Sequence, residues 1–142
     1  MPNIISSFDG EYKFLSNHYP VDVIFDEIVY PSSEHAYVAA KTTDETLRRV
    51  IKKTPTAAEV KKYGSKIKVR DHWDQVKYGL MYVIVRSKFS HNKGVRYMLL
   101  QTGDAELIEG NWWGDTYWGV CNGVGQNNLG KILMDVRKEL NA

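Results

Sequence analysis

Tyr30-Pro31-Ser32-Ser33-Glu34-His35-Ala36-Tyr37-Val38-Ala39-Ala40-Lys41 is the stretch on which the fold turns. Pro31 disfavours helical geometry in the residue before it, and Ser32 or Ser33 can cap a helix that Glu34 then opens. Ala36, Ala39 and Ala40 favour helix strongly and leave a small-residue face able to lie close against a neighbour. Glu34, Tyr37, Val38 and Lys41 recur at i, i+3, i+4 and i+7, so they share another face. A carboxylate in the first turn feels the positive end of the helix dipole and tends to stay ionised, and an amine follows two turns on. By position alone, both are ordinary helix-end charges. The rest of the chain gives them a second reading.

A chain of 142 residues is expected to form a single domain, spanning 1–142, with room for one core and one pocket. Its 43% hydrophobic and 25% charged residues are ordinary for a soluble protein. No apolar run approaches the roughly 20 residues that cross a bilayer, so no membrane partner is expected. The N-terminus lacks the basic start and apolar core of a signal peptide. Cys121 stands alone, which suits a reducing compartment, and the expected location is the cytoplasm. His18, His35, His72 and His91 lack zinc-ligand spacing, so neither a bound metal nor a cofactor is expected.

Charge is laid out unevenly. Nine of the 19 basic residues fall between Arg48 and Arg70, where Glu59 is the sole representative of the 17 acidic ones. Such a lobe is either a solvated helical face or a surface for a phosphate-bearing partner.

Around the quoted stretch, the chain reads as short elements. Residues 8–20 place Gly10, Asn17 and Pro20 among Phe8, Tyr12, Phe14 and Tyr19, an ordered loop with a short strand and buried rings. Val21 to Tyr30 alternates as a hairpin turning at Asp26-Glu27, a weak turn pair. Asp44 can cap a helix ending near Lys53, and Pro55-Thr56 starts another that Gly64 ends. Asp71 opens a long helix to about Phe89, with Trp73, Val76, Leu80, Val83 and Ile84 as its apolar stripe. Gly94 separates it from a shorter helix near 95–101, and residues 106–109 form a strand. The final helix carries Leu129, Ile132, Leu133, Val136 and Leu140 on one face. Helices dominate, with a few short strands: the expected class is α+β.

Residues 110–128 are a second informative region, because a loop this long in a compact domain usually builds a site. It holds Trp112, Trp113, Tyr117 and Trp118 around Asp115. Flat rings about a carboxylate suit a ligand with a planar base, although aromatic rings under a glycine-rich loop are core material as well. Gly125 to Lys131 matches the phosphate-loop spacing, but Ile132 offers magnesium no hydroxyl and no buried strand precedes it, which argues against an NTPase. A weaker inference survives: Asn127 or Asn128 caps the last helix, whose free N–H groups can hold a phosphate.

Across nearly its whole length the chain resembles the NADAR superfamily, the YbiA-like N-glycosidases. The resemblance is carried by Phe14-Leu15-Ser16-Asn17 with Tyr19-Pro20, by Tyr30 to His35 with Lys41, and by Arg70 with Trp73. It continues through Met81 with Lys88-Phe89, Leu99-Leu100 with Thr102-Gly103, Glu109, Asp115 with Tyr117-Trp118-Gly119, and Gly125 with Asn128 to Lys131. Three features depart from the family pattern. His18 replaces a commoner aromatic, the hairpin turn lacks its usual glycine, and Trp112-Trp113 is particular to this branch.

The resemblance implies a mostly helical YbiA-like fold and hydrolysis of a bond between ribose and a nucleobase-like amine. It places the family's key acidic and aromatic positions on Glu34, Asp115, Trp73 and Trp118. Breaking the C–N bond develops positive charge at the anomeric carbon and negative charge on the departing base. Glu34 is accordingly assigned to the ribose, and Asp115 to orienting hydroxyls or the base. Lys41 either neutralises a phosphate or adds to the opened sugar as a Schiff base. Trp73 and Trp118 hold base or sugar; Asn17, Arg70, Asn128 and Lys131 complete substrate binding. The expected partner is an ADP-ribose or ribose-phosphate substrate, with ADP-ribosylated guanine in DNA or RNA favoured over ribosylamino intermediates of riboflavin synthesis. A non-catalytic reader of ADP-ribose or NAD-derived ligands is the alternative from another class. The sequence implies no oligomeric state.

Overall fold

The quoted stretch folds as an eight-residue helix, α1 (Ser33–Ala40), entered directly from strand β3 (Ile28–Ser32). Ser32 is the cap: its Oγ accepts the His35 N–H at 3.1 Å and donates to His35 Nδ1 at 2.6 Å. The other ring nitrogen, Nε2, donates to the Thr54 carbonyl at 2.8 Å. That tautomer needs a neutral ring, and burial does hold the His35 pKa below its ordinary value. Every residue of α1 except Glu34 is buried. A helix apolar or small on all sides must be walled in on all sides, and this one is.

The computed structural model describes residues 2–142. They divide into two compact units, residues 17–92 and residues 2–16 with 93–142. The class is α+β and mostly helical, as the sequence implies.

In the 17–92 unit, α1 packs against α2 (Glu45–Lys53), α3 (Ala57–Gly64), α4 (Trp73–His91) and the hairpin of β2 (Pro20–Phe25) with β3. The hairpin is antiparallel, pairing Phe25 with Ile28. Its turn residues Asp26 and Glu27 both have positive φ, 48° and 66°, where glycine or asparagine is usual. Asp26 is held by an ion pair to Arg48 at 2.8 Å. Arg48 Nε also donates to the Ala39 and Thr42 carbonyls, closing the C-terminal end of α1. Asp44 and Thr56 cap α2 and α3 as read from the sequence. Gly64 does more than end α3. A Cβ there would stand 2.7 Å from Val38 Cγ2, so its absence lets α3 and α1 touch.

The long helix departs from its reading. It begins at Trp73, preceded by His72 at φ 60°, and not at Asp71. Its buried face is Met81, Ile84, Val85, Ser87, Lys88 and Phe89, while Val83 is 52% exposed. The hydropathy stripe misses this face because the true core side contains a lysine and a serine. Ser87 is there to bind the backbone of Ile24 on β2, as acceptor and donor. Asn92 adds a bond to the Asp22 carbonyl. Together they cover the strand's otherwise open edge.

In the other unit, β1 (Ile4–Ile5) pairs in parallel with β4 (Glu106–Leu107). The opening loop is a 3-10 helix, Gly10–Leu15, and of its four rings only Phe14 is fully buried. Gly94 lies inside α5 (Lys93–Gln101) rather than before it. Residues 110–128 contain a parallel pair, β5 (Gly110–Asn111) with β6 (Val120–Cys121), before α6 (Asn128–Leu140). The buried face of α6 is Leu129, Ile132, Leu133 and Val136, joined by Asn128 and Gly130, while Leu140 of the expected stripe is only half-buried.

Candidate active site

Glu34 is the one residue of α1 that is not fully buried. Its N–H is fixed by the Asn17 carbonyl at 2.9 Å, and its side chain keeps 12% exposure. His18 Nε2 lies 3.7 Å from Oε1. Burial, with Lys61 and His35 nearby, pushes the His18 pKa down, which weakens this contact as an ion pair. One helical turn past Glu34, Tyr37 packs at 5.4 Å against Trp73 from the start of α4. Lys41 follows, its Nζ 5.5 Å from the Tyr37 ring. Desolvation lowers the Lys41 pKa, with Glu34 opposing and Lys61 and Lys77 adding to the effect. Of the face read from the α1 spacing, Tyr37 meets the Trp73 ring and Lys41 lies over Tyr37, while Val38 turns into the core against Gly64.

Arg70 and Asn17 join this group through the backbone. The Arg70 N–H donates to the Lys41 carbonyl at 2.6 Å, and its Nη1 reaches the Ala40 carbonyl. Asn17 Nδ2 contacts Met81 Sδ at 3.5 Å. Both residues hold α1 in place, whatever else they bind.

In the other unit, Asp115 is the hub of the 110–127 loop. Its Oδ1 accepts the N–H groups of Tyr117 and Trp118 at 3.2 and 2.9 Å. Its own N–H goes to Asn111 Oδ1, while Asn111 Nδ2 reaches the Asp115 carbonyl. Trp118 stacks edge-on with Tyr117 at 4.7 Å. The Trp112-Trp113 pair is no core plug: the residues are 86% and 49% exposed.

The phosphate reading of the α6 start is corrected by the same loop. The N–H groups of Asn128 and Leu129 are taken by the Tyr117 and Trp118 carbonyls, at 3.2 and 3.0 Å, and so are not free for an anion. Asn127, in the left-handed region, uses its side chain on Leu107 and Glu109 rather than as a cap. Gly130 is there because a Cβ would strike the Leu107 carbonyl. The phosphate-loop spacing is thus a packing motif. Asn128 is buried against Gln126, and Lys131 is exposed on the first turn of α6.

One residue of chemical interest is absent from the site expected from sequence. Lys88 is 1% exposed, near the Tyr19 and Phe89 rings, and burial pulls its pKa to about 7. The available signal is its place seven residues after Met81 on one helix face, where a lysine breaks the apolar pattern. Among the described residues no group of His, Cys, Asp and Glu is arranged to hold a metal, and no helix is long and apolar enough to cross a membrane.

A family model described as "NADAR domain" matches residues 5–141. N-glycosidase YbiA of Escherichia coli (strain K12) is 34% identical over 142 residues, covering 97% of this chain and 87% of that protein. A riboflavin biosynthesis protein of Vibrio vulnificus is 37% identical over 135 residues, and the chain spans 36% of that protein's length. The solution NMR structure of E. coli YbiA superposes with a TM-score of 0.86 at 31% identity, covering 99% of this chain and 87% of that one. By class, then, the chain is a glycosidase acting on N-glycosyl bonds. It belongs to the NADAR family.

Proposed function

We propose that the chain hydrolyses the bond between ribose and guanine in ADP-ribosylated nucleic acid. The observation that carries this reading is Glu34, the one residue of α1 that is not fully buried, with an imidazole 3.7 Å away and the charge of Lys41 felt beside it. As the C–N bond breaks, its electron pair leaves with the base and positive charge grows at the anomeric carbon. Glu34 stabilises that charge and takes one proton of the water whose oxygen bonds to the carbon, and that proton then passes to the departing base nitrogen, which returns Glu34 to its carboxylate form. Trp73, braced by Tyr37, offers a face to sugar or base. Asp115 acts through the backbone it binds, setting Trp118 in position. The exposed lysines of α2 and α3, together with solvent-facing indoles, support a polyanionic substrate with unpaired bases.

A second reading, hydrolysis of ribosylamino intermediates of riboflavin synthesis, is favoured by the name of the Vibrio relative. A non-catalytic reader has no such support, since relatives of matching length are named N-glycosidases. The deciding experiment incubates the protein with ADP-ribosylated guanosine, a modified oligonucleotide and the riboflavin precursor, and follows products by mass spectrometry. Guanosine, or an oligonucleotide with unmodified guanine, together with ADP-ribose is the expected result, and turnover of the oligonucleotide should fall steeply with salt. Release from the riboflavin precursor alone would replace the first reading by the second. Glu34→Gln should lower kcat by at least about a hundredfold, the usual scale for losing a positioned acid–base group, with an unchanged thermal midpoint.

A further inference from the structure

The tip of the 110–127 loop carries a pair of rings held out in solvent, and no step of the reaction needs them. Trp112 is 86% exposed and Trp113 49%, and the two meet edge to face at 5.6 Å with their planes 87° apart. Large aromatic rings are usually the first groups that a fold covers. This pair is kept out by its footing. Asn111 closes the loop beneath it: its Oδ1 accepts the Asp115 N–H at 3.0 Å, and its Nδ2 donates to the Asp115 carbonyl at 2.9 Å. Nδ2 also reaches Glu109 Oε2 at 3.1 Å, and Asn111 itself is aligned with Cys121 in the β5–β6 pair. Only Trp112, Trp113 and Gly114 lie between the clamped residues. Gly114, at φ 88°, takes a left-handed conformation that a glycine adopts without steric cost.

What the tip can meet follows from its charge and its size. The segment from Tyr97 to Gly130 has no lysine or arginine and four carboxylates, Asp104, Glu106, Glu109 and Asp115. Tryptophans that anchor a protein to an anionic lipid surface stand among basic residues, and this loop has none. Two indoles offer at most about 500 Å², short of the roughly 800 Å² that each partner of a stable protein interface gives up. What is left is one flat, uncharged face of ring size. It matches an unpaired nucleobase, which stacks on an indole without needing a cation. The tip also stands on the residue that positions Trp118. Asp115 is clamped by Asn111 through its backbone, and its carboxylate accepts the Trp118 N–H at 2.9 Å. Tip and expected substrate wall are thus parts of one hydrogen-bonded unit.

We infer that Trp112, propped by Trp113, is a stacking platform for an unpaired base of the strand that carries the modified guanine, and that it sets a preference for single-stranded over duplex substrate. The inference rests on the proposed nucleic-acid substrate, but the platform is tested by binding, without turnover. Because the loop supplies no cation, its share of the affinity does not vary with salt; phosphate contacts made elsewhere give the salt slope. In a duplex each base is already paired and stacked on its neighbours, so the contact is open only to a single strand.

Two measurements decide it, on the wild type, Trp112→Ala, Trp112→Leu and Trp112→Phe, with circular dichroism confirming the fold of each. The first titrates the protein against a short, labelled, unmodified DNA single strand and against its duplex, by fluorescence anisotropy at several salt concentrations. Trp112→Ala and Trp112→Leu should bind the single strand about tenfold more weakly, within the range for one lost base stack. The slope of log affinity against log salt should stay as in the wild type. Trp112→Phe, which keeps a flat ring, should retain most of the affinity, and the duplex should bind all four proteins alike. The second measurement compares KM for ADP-ribosylated guanine in an oligonucleotide with KM for ADP-ribosylated guanosine. The ratio of the two should rise about tenfold in Trp112→Ala. Equal single-strand affinity in the wild type and Trp112→Ala, or a wild type that binds no single strand, overturns the inference. Full affinity in Trp112→Leu also overturns it, since any apolar side chain would then serve. So does a KM loss shared equally by both substrates, which would set the indole against the ADP-ribosyl group. If the wild type frees ADP-ribose from neither substrate, the hydrolysis reading falls, and the titration still decides the platform. If Trp112→Ala misfolds, the Leu and Phe variants carry the same comparison.

Discussion

At the scale of single residues, the structure separates groups that act at the surface from groups that hold the surface in place. Glu34 and Lys88 mark the extremes. The first is the one residue of α1 that is not fully buried, and the second is an amine with almost no exposure. Lys88 has a measurable consequence for stability. Its pKa in the folded state is about 7, against an ordinary 10.5. Between those values the unfolded chain holds the extra proton, so stability contributed at this position rises with pH across the window and is lost as pH falls towards 7. The slope approaches about 1.4 kcal/mol per pH unit. Denaturant unfolding from pH 7 to pH 10 should show this rise in the wild type but not in Lys88→Met; parallel curves would mean the buried amine keeps its proton. Sequence patterning could not reveal this residue as core, because hydropathy places lysine outside by default. Glu34 was legible because its position in the first turn is set by the Pro31–Ser32 cap, a local rule that no tertiary contact overrides.

At the scale of elements, the caps were readable and the close approaches were not. Ser32, Asp44 and Thr56 begin their helices through bonds spanning two or three residues, so the sequence locates them closely, leaving only Ser32 or Ser33 to be decided for α1. Gly64 reads as a helix stop and is a contact, because its role depends on Val38, a residue 26 positions away. Gly64→Ala should cost about 1–3 kcal/mol, the usual penalty for forcing a methyl into a filled core. Thermal unfolding tests it, and a companion Val38→Ala change in the same chain should recover part of the loss. A Gly64→Ala variant as stable as wild type would show that the α1–α3 contact has slack. The loop of residues 110–127 was legible as a site-building segment through its tryptophans and length. Its wiring, with Asp115 bonding backbone and the α6 N–H groups taken up, depends on the loop's folded path, and no spacing rule encodes that path.

At the scale of the molecule, the charge asymmetry read from sequence survives with its membership changed. Arg48 is withdrawn into a buried bond network and Arg70 is turned to the end of α1. What remains outside is Arg49, Lys52 and Lys53 on α2 and Lys61, Lys62, Lys66 and Lys68 on and after α3. Composition can count basic residues, but only packing decides which of them solvent or a polyanion meets. The fold class needed less: strong caps and helical periodicity were enough, and β4 falls within the strand read at 106–109, while β1 and its parallel pairing with β4, far apart in sequence, were the part that local patterns missed.

The enclosure of α1 also sets a hierarchy in time. Its amides, shut in by a hairpin and three helices, can trade hydrogen for deuterium only when the whole 17–92 unit comes apart. Amides near Trp112, on a loop open to water, should exchange orders of magnitude sooner. Exchange followed by mass spectrometry should therefore find the segment bearing Glu34 among the last to label, and early labelling there would contradict its burial. A carboxylate mounted on the slowest-opening part of the molecule would keep its aim between turnovers, leaving any movement that admits and releases substrate to the outer loops.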